Sequence, residues 1–223
     1  STRRAEPLEE FGERFGVQAR YRDYREMLDK EKPDLVHVNT PPDVRLEVFQ
    51  AAQKAGVAAV LVEKPVAVQG EDFVELIRFA RQAGPRIGVN HQLHYNPRRL
   101  QLQERVAAGA IGELLFIEAS AGMNLAYQGT HMLQAISAFN PRGVPASVFG
   151  QVAGDDGLGD SPGRHYAPDH CIASILYDNG VRAQLACGAH APQVGSDGIH
   201  THKRVAVHGT RGFAHWTMGS WQL

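Results

Sequence analysis

The run Val60-Leu61-Val62-Glu63-Lys64-Pro65-Val66-Ala67 holds the first residues able to do chemistry. An apolar strand that runs into Glu, Lys and Pro departs from ordinary turns, which favour Gly, Asn or Asp. A lysine delivered at a strand end onto a proline-fixed backbone reads as a placed functional group, against the alternative of a solvated loop lysine. Burial lowers a lysine pKa toward neutrality, and its charge favours a developing alkoxide. Eleven histidines raise a second chemistry, metal binding, above all His200 and His202 with His190 and His208 nearby. Alternate strand residues share a face, yet no Cys or carboxylate cluster completes a ligand set, so no metal is expected. Asp155, Asp156 and Asp160 lie among glycines and read as a solvated loop.

The elements that must position these groups belong to a chain of 223 residues, 43% hydrophobic and 21% charged, with a formal net charge of -1. That is globular composition with enough apolar residues for two domains. Near-neutral charge without a basic block argues against nucleic-acid binding. No apolar run approaches the roughly 20 residues of a membrane span. Two cysteines make no disulfide framework, which points to a reducing cytoplasm.

The first part alternates helical and strand-like segments. Helices are expected over residues 5–15, 23–29, 44–55 and 71–83, the last with Phe73, Leu76, Ile77 and Ala80 on one face. Strands are expected over 17–21, 34–39, 58–62 and 86–90. Strands apolar on both faces, separated by helices of this length, indicate a parallel sheet covered on both sides.

The pattern changes near Pro97. A helix to Ala108, a half-buried strand over 113–120 and a helix over 129–139 precede a strand-rich region. Cys171–Tyr177 and Val181–Cys187 form a hairpin around Asp178-Asn179-Gly180. Matching the apolar faces sets odd residues opposite odd ones, with Gly180 left-handed in a three-residue loop and Cys171 opposite Cys187 as packing residues. The fold class is α/β: a Rossmann-type parallel sheet domain, residues 1–96, then an α+β domain, residues 97–223, with an open, largely antiparallel sheet.

Thr40-Pro41-Pro42-Asp43, Glu63-Lys64-Pro65, Gly109-Ala110-Ile111-Gly112-Glu113, Gly129-Thr130-His131 and the stretch Asp169–Gly180 occur in an order and spacing that resembles the Gfo/Idh/MocA family of NAD(P)-dependent oxidoreductases. The resemblance implies hydride transfer between nicotinamide and a carbinol of a sugar, cyclitol or related polyol. It also implies a homo-oligomer, dimer or tetramer, built through the C-terminal sheet. A non-catalytic regulatory or scaffold protein of the same fold is the alternative. No G-x-G-x-x-G occurs in the sequence, so the family's pyrophosphate turn is expected before Ser1, in a longer protein.

By the same resemblance Lys64 is catalytic, its bond to Pro65 is cis, and Glu63, Thr40 and Pro41 lie by the cofactor. His131 is the second catalytic residue, a proton acceptor. The family sets an Asp four residues before it, where this chain has Tyr127, with Asn124 as the nearest alternative. Gln92, His94 and Tyr95 fall in a segment that lines the family's cleft, Gln92 toward cofactor and the other two toward substrate, with Tyr127 beside them. Many relatives carry Arg where this chain has His94, which makes an anionic substrate less expected. Ser1-Thr2-Arg3-Arg4 falls at the adenosine ribose; its hydroxyls and arginines lean toward NADP over NAD, with Ser1 and Arg3 as contacts.

Overall fold

The computed structural model describes residues 1–159, 162–193 and 198–223, so Asp160 lies outside the described residues. The chain divides into two compact units, Ser1–Asn90 and His91–Leu223.

In the first unit, α1 (Ala5–Phe15) and α2 (Tyr24–Glu31) precede a β-α-β-α-β run. Gly16 ends α1 in the left-handed region, and the Asp23 carboxylate caps α2 by accepting the Arg25 N–H. The run comprises β1 (Leu35–Val38), α3 (Arg45–Lys54), β2 (Ala59–Glu63), α4 (Gly70–Ala80) and β3 (Arg86–Asn90), its strands parallel in the order β1-β2-β3. Val36, Val38, Val60 and Val62 pack against Leu28 of α2, Phe49 and Ala52 of α3 and Leu76 and Phe79 of α4.

Three expectations are corrected here. The buried core lies on the sheet face of Val36, Val38, Val60 and Val62, while Leu35 on the other face is exposed. Two right-handed crossovers winding in one direction put both helices on the same side. On α4 the inward residues are Leu76 and Phe79, whereas Phe73 and Ala80 face solvent. Residues 17–21 form no strand; the Val17 N–H turns back to the Gly12 carbonyl at 2.8 Å and the Thr2 N–H bonds the Tyr21 carbonyl at 3.1 Å, whereas a strand needs a ladder.

The second unit opens with a 3-10 turn, Gln92–Tyr95, and α5 (Pro97–Ala107), whose cap is Asn96 accepting the Arg99 N–H. There follow β4 (Leu114–Ala121), a π turn Leu125–Gly129, α6 (Thr130–Phe139), β5 (Pro145–Ala153), the short α7 (Asp156–Gly159), and β6 to β10 (His170–Tyr177, Arg182–Cys187, Lys203–Gly209, Gly212–Thr217, Trp221–Gln222). The strands form one sheet in the order β10-β9-β8-β4-β7-β6-β5, antiparallel except for the parallel pair β4 and β7. One face packs Ile117, Ala183, Leu185 and Val205 against Met132 and Ile136 of α6 and Leu102 of α5. The other face leaves Phe149, Ile172, Leu176 and Phe213 exposed.

The β6–β7 hairpin has the register read from its faces: Cys171 pairs with Cys187, Ile175 with Ala183, and Gly180 turns at φ +83°. Both thiols are free and buried. Burial pushes the Cys171 thiol up and, with Cys171 beside it, takes Cys187 to about 12. Neither sulfur offers thiolate, so a maleimide at neutral pH should leave both unlabelled in the native protein and label both in denaturant. Rapid native labelling would contradict this packing role.

Candidate functional site

In the first unit the site grows from the carboxyl ends of β1 and β2. β2 places Glu63 as its last residue, opposite Asn90 at the end of β3. The half-buried Lys64 follows, and the Lys64–Pro65 peptide is cis. The Glu63 carboxylate accepts a hydrogen bond of 2.6 Å from the Asn90 amide and lies 3.5 Å from His37 Nε2. Three strands thus fix one carboxylate at one sheet edge.

Arg45, at the start of α3, holds the backbone around it. It is 2% exposed. Its guanidinium donates to the Thr40 carbonyl from Nε at 3.1 Å and Nη2 at 2.8 Å. Nη1 donates to the carbonyls of Glu63 and Pro65. One cation therefore braces both loops, the one after β1 and the one carrying Lys64. Burial lowers its pKa to about 10, with Glu63 and Asp43 acting in the opposite sense, so it remains charged at neutral pH. Among the described residues the buried Thr40 hydroxyl has no hydrogen-bond partner. Pro41 leads into the single turn Pro42–Val44. Ser1 and Arg3 are exposed ahead of α1, and the Arg3 carbonyl accepts from Arg22.

In the second unit the stretch His91–Tyr95 packs along α6. The His91 ring meets the buried His131 ring edge-on, centroids 5.6 Å apart. Three residues further on each element, His94 Nδ1 lies 2.9 Å from the Gln134 amide nitrogen. Behind them Arg99 is 0% exposed and bonds Gln134 Oε1 at 2.6 Å. Burial alone lowers its pKa to about 10. Tyr95 is 70% exposed, with its ring edge-on to His94 at 5.0 Å, and Gln92 is exposed. Tyr127 sets its ring against His165, at 5.0 Å. Asn124 is committed to backbone: it accepts the Tyr127 N–H at 2.8 Å and donates to the His165 carbonyl at 3.2 Å.

The other histidines are dispersed. His202 is buried with Nε2 3.1 Å from the Ser120 hydroxyl, His208 lies 3.3 Å from Glu118, and His190 stacks on His170 at 4.3 Å. Among the described residues no three His, Cys, Asp or Glu side chains gather as a metal site. The Asp169 carboxylate accepts the N–H groups of Asp156 and Gly157, closing the loop that begins at Asp155.

Sequence reasoning missed Arg45, Arg99, His37 and Gln134. A signal existed for both arginines. Arg45 stands three, four and seven residues before Val48, Phe49 and Ala52, and Arg99 three and seven before Leu102 and Val106, so each leads an apolar helical stripe.

The first unit thus presents a parallel sheet with a Glu-Lys-cisPro turn at its carboxyl edge. Residues 1–91 match the model of the oxidoreductase family with an NAD-binding Rossmann fold, Gfo/Idh/MocA. The chain is 36% identical over 87 residues to a 1,5-anhydro-D-fructose reductase of Ensifer adhaerens, covering 39% of this chain and 26% of that protein. It is 29% identical over 135 residues to a dTDP-3,4-didehydro-2,6-dideoxy-alpha-D-glucose 3-reductase of Actinomadura kijaniata, covering 60% and 40%. The chain thus spans well under half the length of these relatives. An inositol dehydrogenase homolog of Azotobacter vinelandii, solved with NADH and myo-inositol, superposes with TM-score 0.75 at 22% identity, covering 94% of this chain and 59% of that one. At that identity the likeness establishes the fold.

Proposed function

We propose that this chain is part of an NAD(P)-dependent oxidoreductase acting on a carbinol of a sugar, cyclitol or related polyol. The observation that carries the reading is the braced turn: Glu63 bonded to Asn90, Lys64 beside the cis bond, and Arg45 holding the backbone on both sides. The nicotinamide, when bound, accepts or returns the hydride of the carbinol carbon. The donor set fits it in part: the Thr40 hydroxyl, buried without a partner among the described residues, and Glu63 at the strand edge suit the ribose and amide groups of that half. Pro41 shapes the same loop, and Gln92 is assigned to the cofactor by the family pattern.

Lys64 polarises the substrate hydroxyl and carries its proton. His131 is the second proton-handling residue, with His94, Tyr95 and Tyr127 as substrate contacts. Ser1 and Arg3 lean the adenosine end toward NADP. The intact protein, screened against polyols with either dinucleotide, should show reduced nicotinamide at 340 nm. Silence across the panel would count against the reading.

The exposed face bearing Phe149, Ile172, Leu176 and Phe213 supports assembly with a second copy, since apolar patches of this kind mark interfaces. Phe149→Asp should shift the protein to a smaller species in light scattering after gel filtration; an unchanged mass would exclude this face. Among the described residues no helix is long and apolar enough to cross a membrane. The two free buried thiols suit a reducing cytoplasm.

A further inference from the structure

The geometry points to Arg99 and Gln134 as positioning residues that fix His94 in its Nε2–H tautomer, so that it donates a hydrogen bond to a substrate oxygen. The donor role toward substrate rests on the oxidoreductase reading; the tautomer does not.

The inference follows from what each group can do. An arginine has five donors and no acceptor. The Gln134 atom 2.6 Å from Arg99 Nη2 must therefore be the amide oxygen. That settles the orientation of the amide and turns its NH2 toward His94 Nδ1, 2.9 Å away. Arg99 Nη2 approaches the same ring nitrogen, at 3.3 Å. Two donors converge on Nδ1, which must accept, and the single proton of the neutral ring sits on Nε2.

That nitrogen makes no hydrogen bond within the described residues. Arg99 is sealed from solvent and packs 5.9 Å from the Trp216 ring, so it touches no ligand itself and acts through Gln134 and His94. His91 and His94 face His131 and Gln134 at matching three-residue spacing, which puts His94 one helical turn along from the histidine assigned to proton handling. A neutral donor suits a hydroxyl or carbonyl oxygen of an uncharged polyol.

The test is a ring-nitrogen 15N–1H correlation spectrum of the full-length protein without cofactor or substrate, at about pH 8, above the usual histidine value of roughly 6.5. The His94 signals are assigned by their loss in His94→Gln. The expected result is an unprotonated Nδ1 and a protonated Nε2. In Gln134→Glu a carboxylate oxygen replaces the NH2, and Nδ1 should gain a proton, as the other tautomer or as the charged ring. Melting temperature serves as the folding control. If Gln134→Glu does not fold, the wild-type spectrum decides alone.

A wild-type ring protonated at Nδ1, or averaging between tautomers, would overturn the inference, as would a Gln134→Glu spectrum unchanged from wild type. In turnover assays Gln134→Glu should raise the polyol KM about tenfold where the ring takes the Nδ1–H tautomer, the effect of one lost hydrogen bond, whereas the charged ring keeps the Nε2 donor and should leave KM within a few-fold; cofactor affinity stays unchanged in both cases. A protein that turns over no polyol would fail the oxidoreductase reading and leave the tautomer result intact.

Discussion

Lys64→Ala should lower kcat by roughly 10²–10⁴-fold, the usual contribution of a positioned acid/base, while cofactor affinity stays within a few-fold. The expectation rests on position. Lys64 follows the last residue of a central strand, on the edge where open α/β sheets bind ligands. Its backbone is fixed by a cis bond to the buried Pro65 and by the Arg45 bonds to the carbonyls on both sides. Removing the amine removes the proposed proton carrier without disturbing that frame. Lys64→Arg should not rescue, because a guanidinium stays protonated and cannot cycle as an acid/base. Steady-state rates beside a fluorescence titration with reduced cofactor separate the two effects. Undiminished turnover would remove Lys64 from the chemistry.

Arg45→Met should cost on the order of 3 kcal/mol, because about 1–3 kcal/mol attends each buried acceptor left without its donor. The carbonyls of Thr40, Glu63 and Pro65 all lose theirs at once. Relief from burying a lone cation offsets part of that loss, and methionine fills much of the same volume. For a unit of this size such a change lowers the melting point by on the order of 10 °C. Arg45→Lys, with one compact donor group in place of a planar fork, should fall between. Calorimetry reads the loss directly. A melting point unchanged by Arg45→Met would show that water satisfies these carbonyls and that the clamp is not structural.

The Glu63-Lys64-Pro65 turn was legible as a candidate site because it breaks a local rule: charge and proline directly after an apolar strand. The β6–β7 register was legible for a related reason, since period-two alternation leaves one way to match the apolar faces around Gly180. The clamp was not, because Arg45 on a helical stripe looks like any first-turn cation until the loops it bonds fold against it. Coverage of the sheet was misjudged because strand hydrophobicity reports burial without reporting winding direction, which is what puts α3 and α4 together. The hydrogen-bond chain from Arg99 to His94 joins residues up to 40 positions apart, a separation at which periodicity carries no information.

A polyol deuterated at the reacting carbinol carbon, given to the intact protein with oxidised cofactor, reports the hydride itself. Deuterium should appear at C4 of the reduced nicotinamide in the wild type, with almost none formed by Lys64→Ala. Deuterium released to solvent, or equal labelling by the two proteins, would contradict the proposed mechanism.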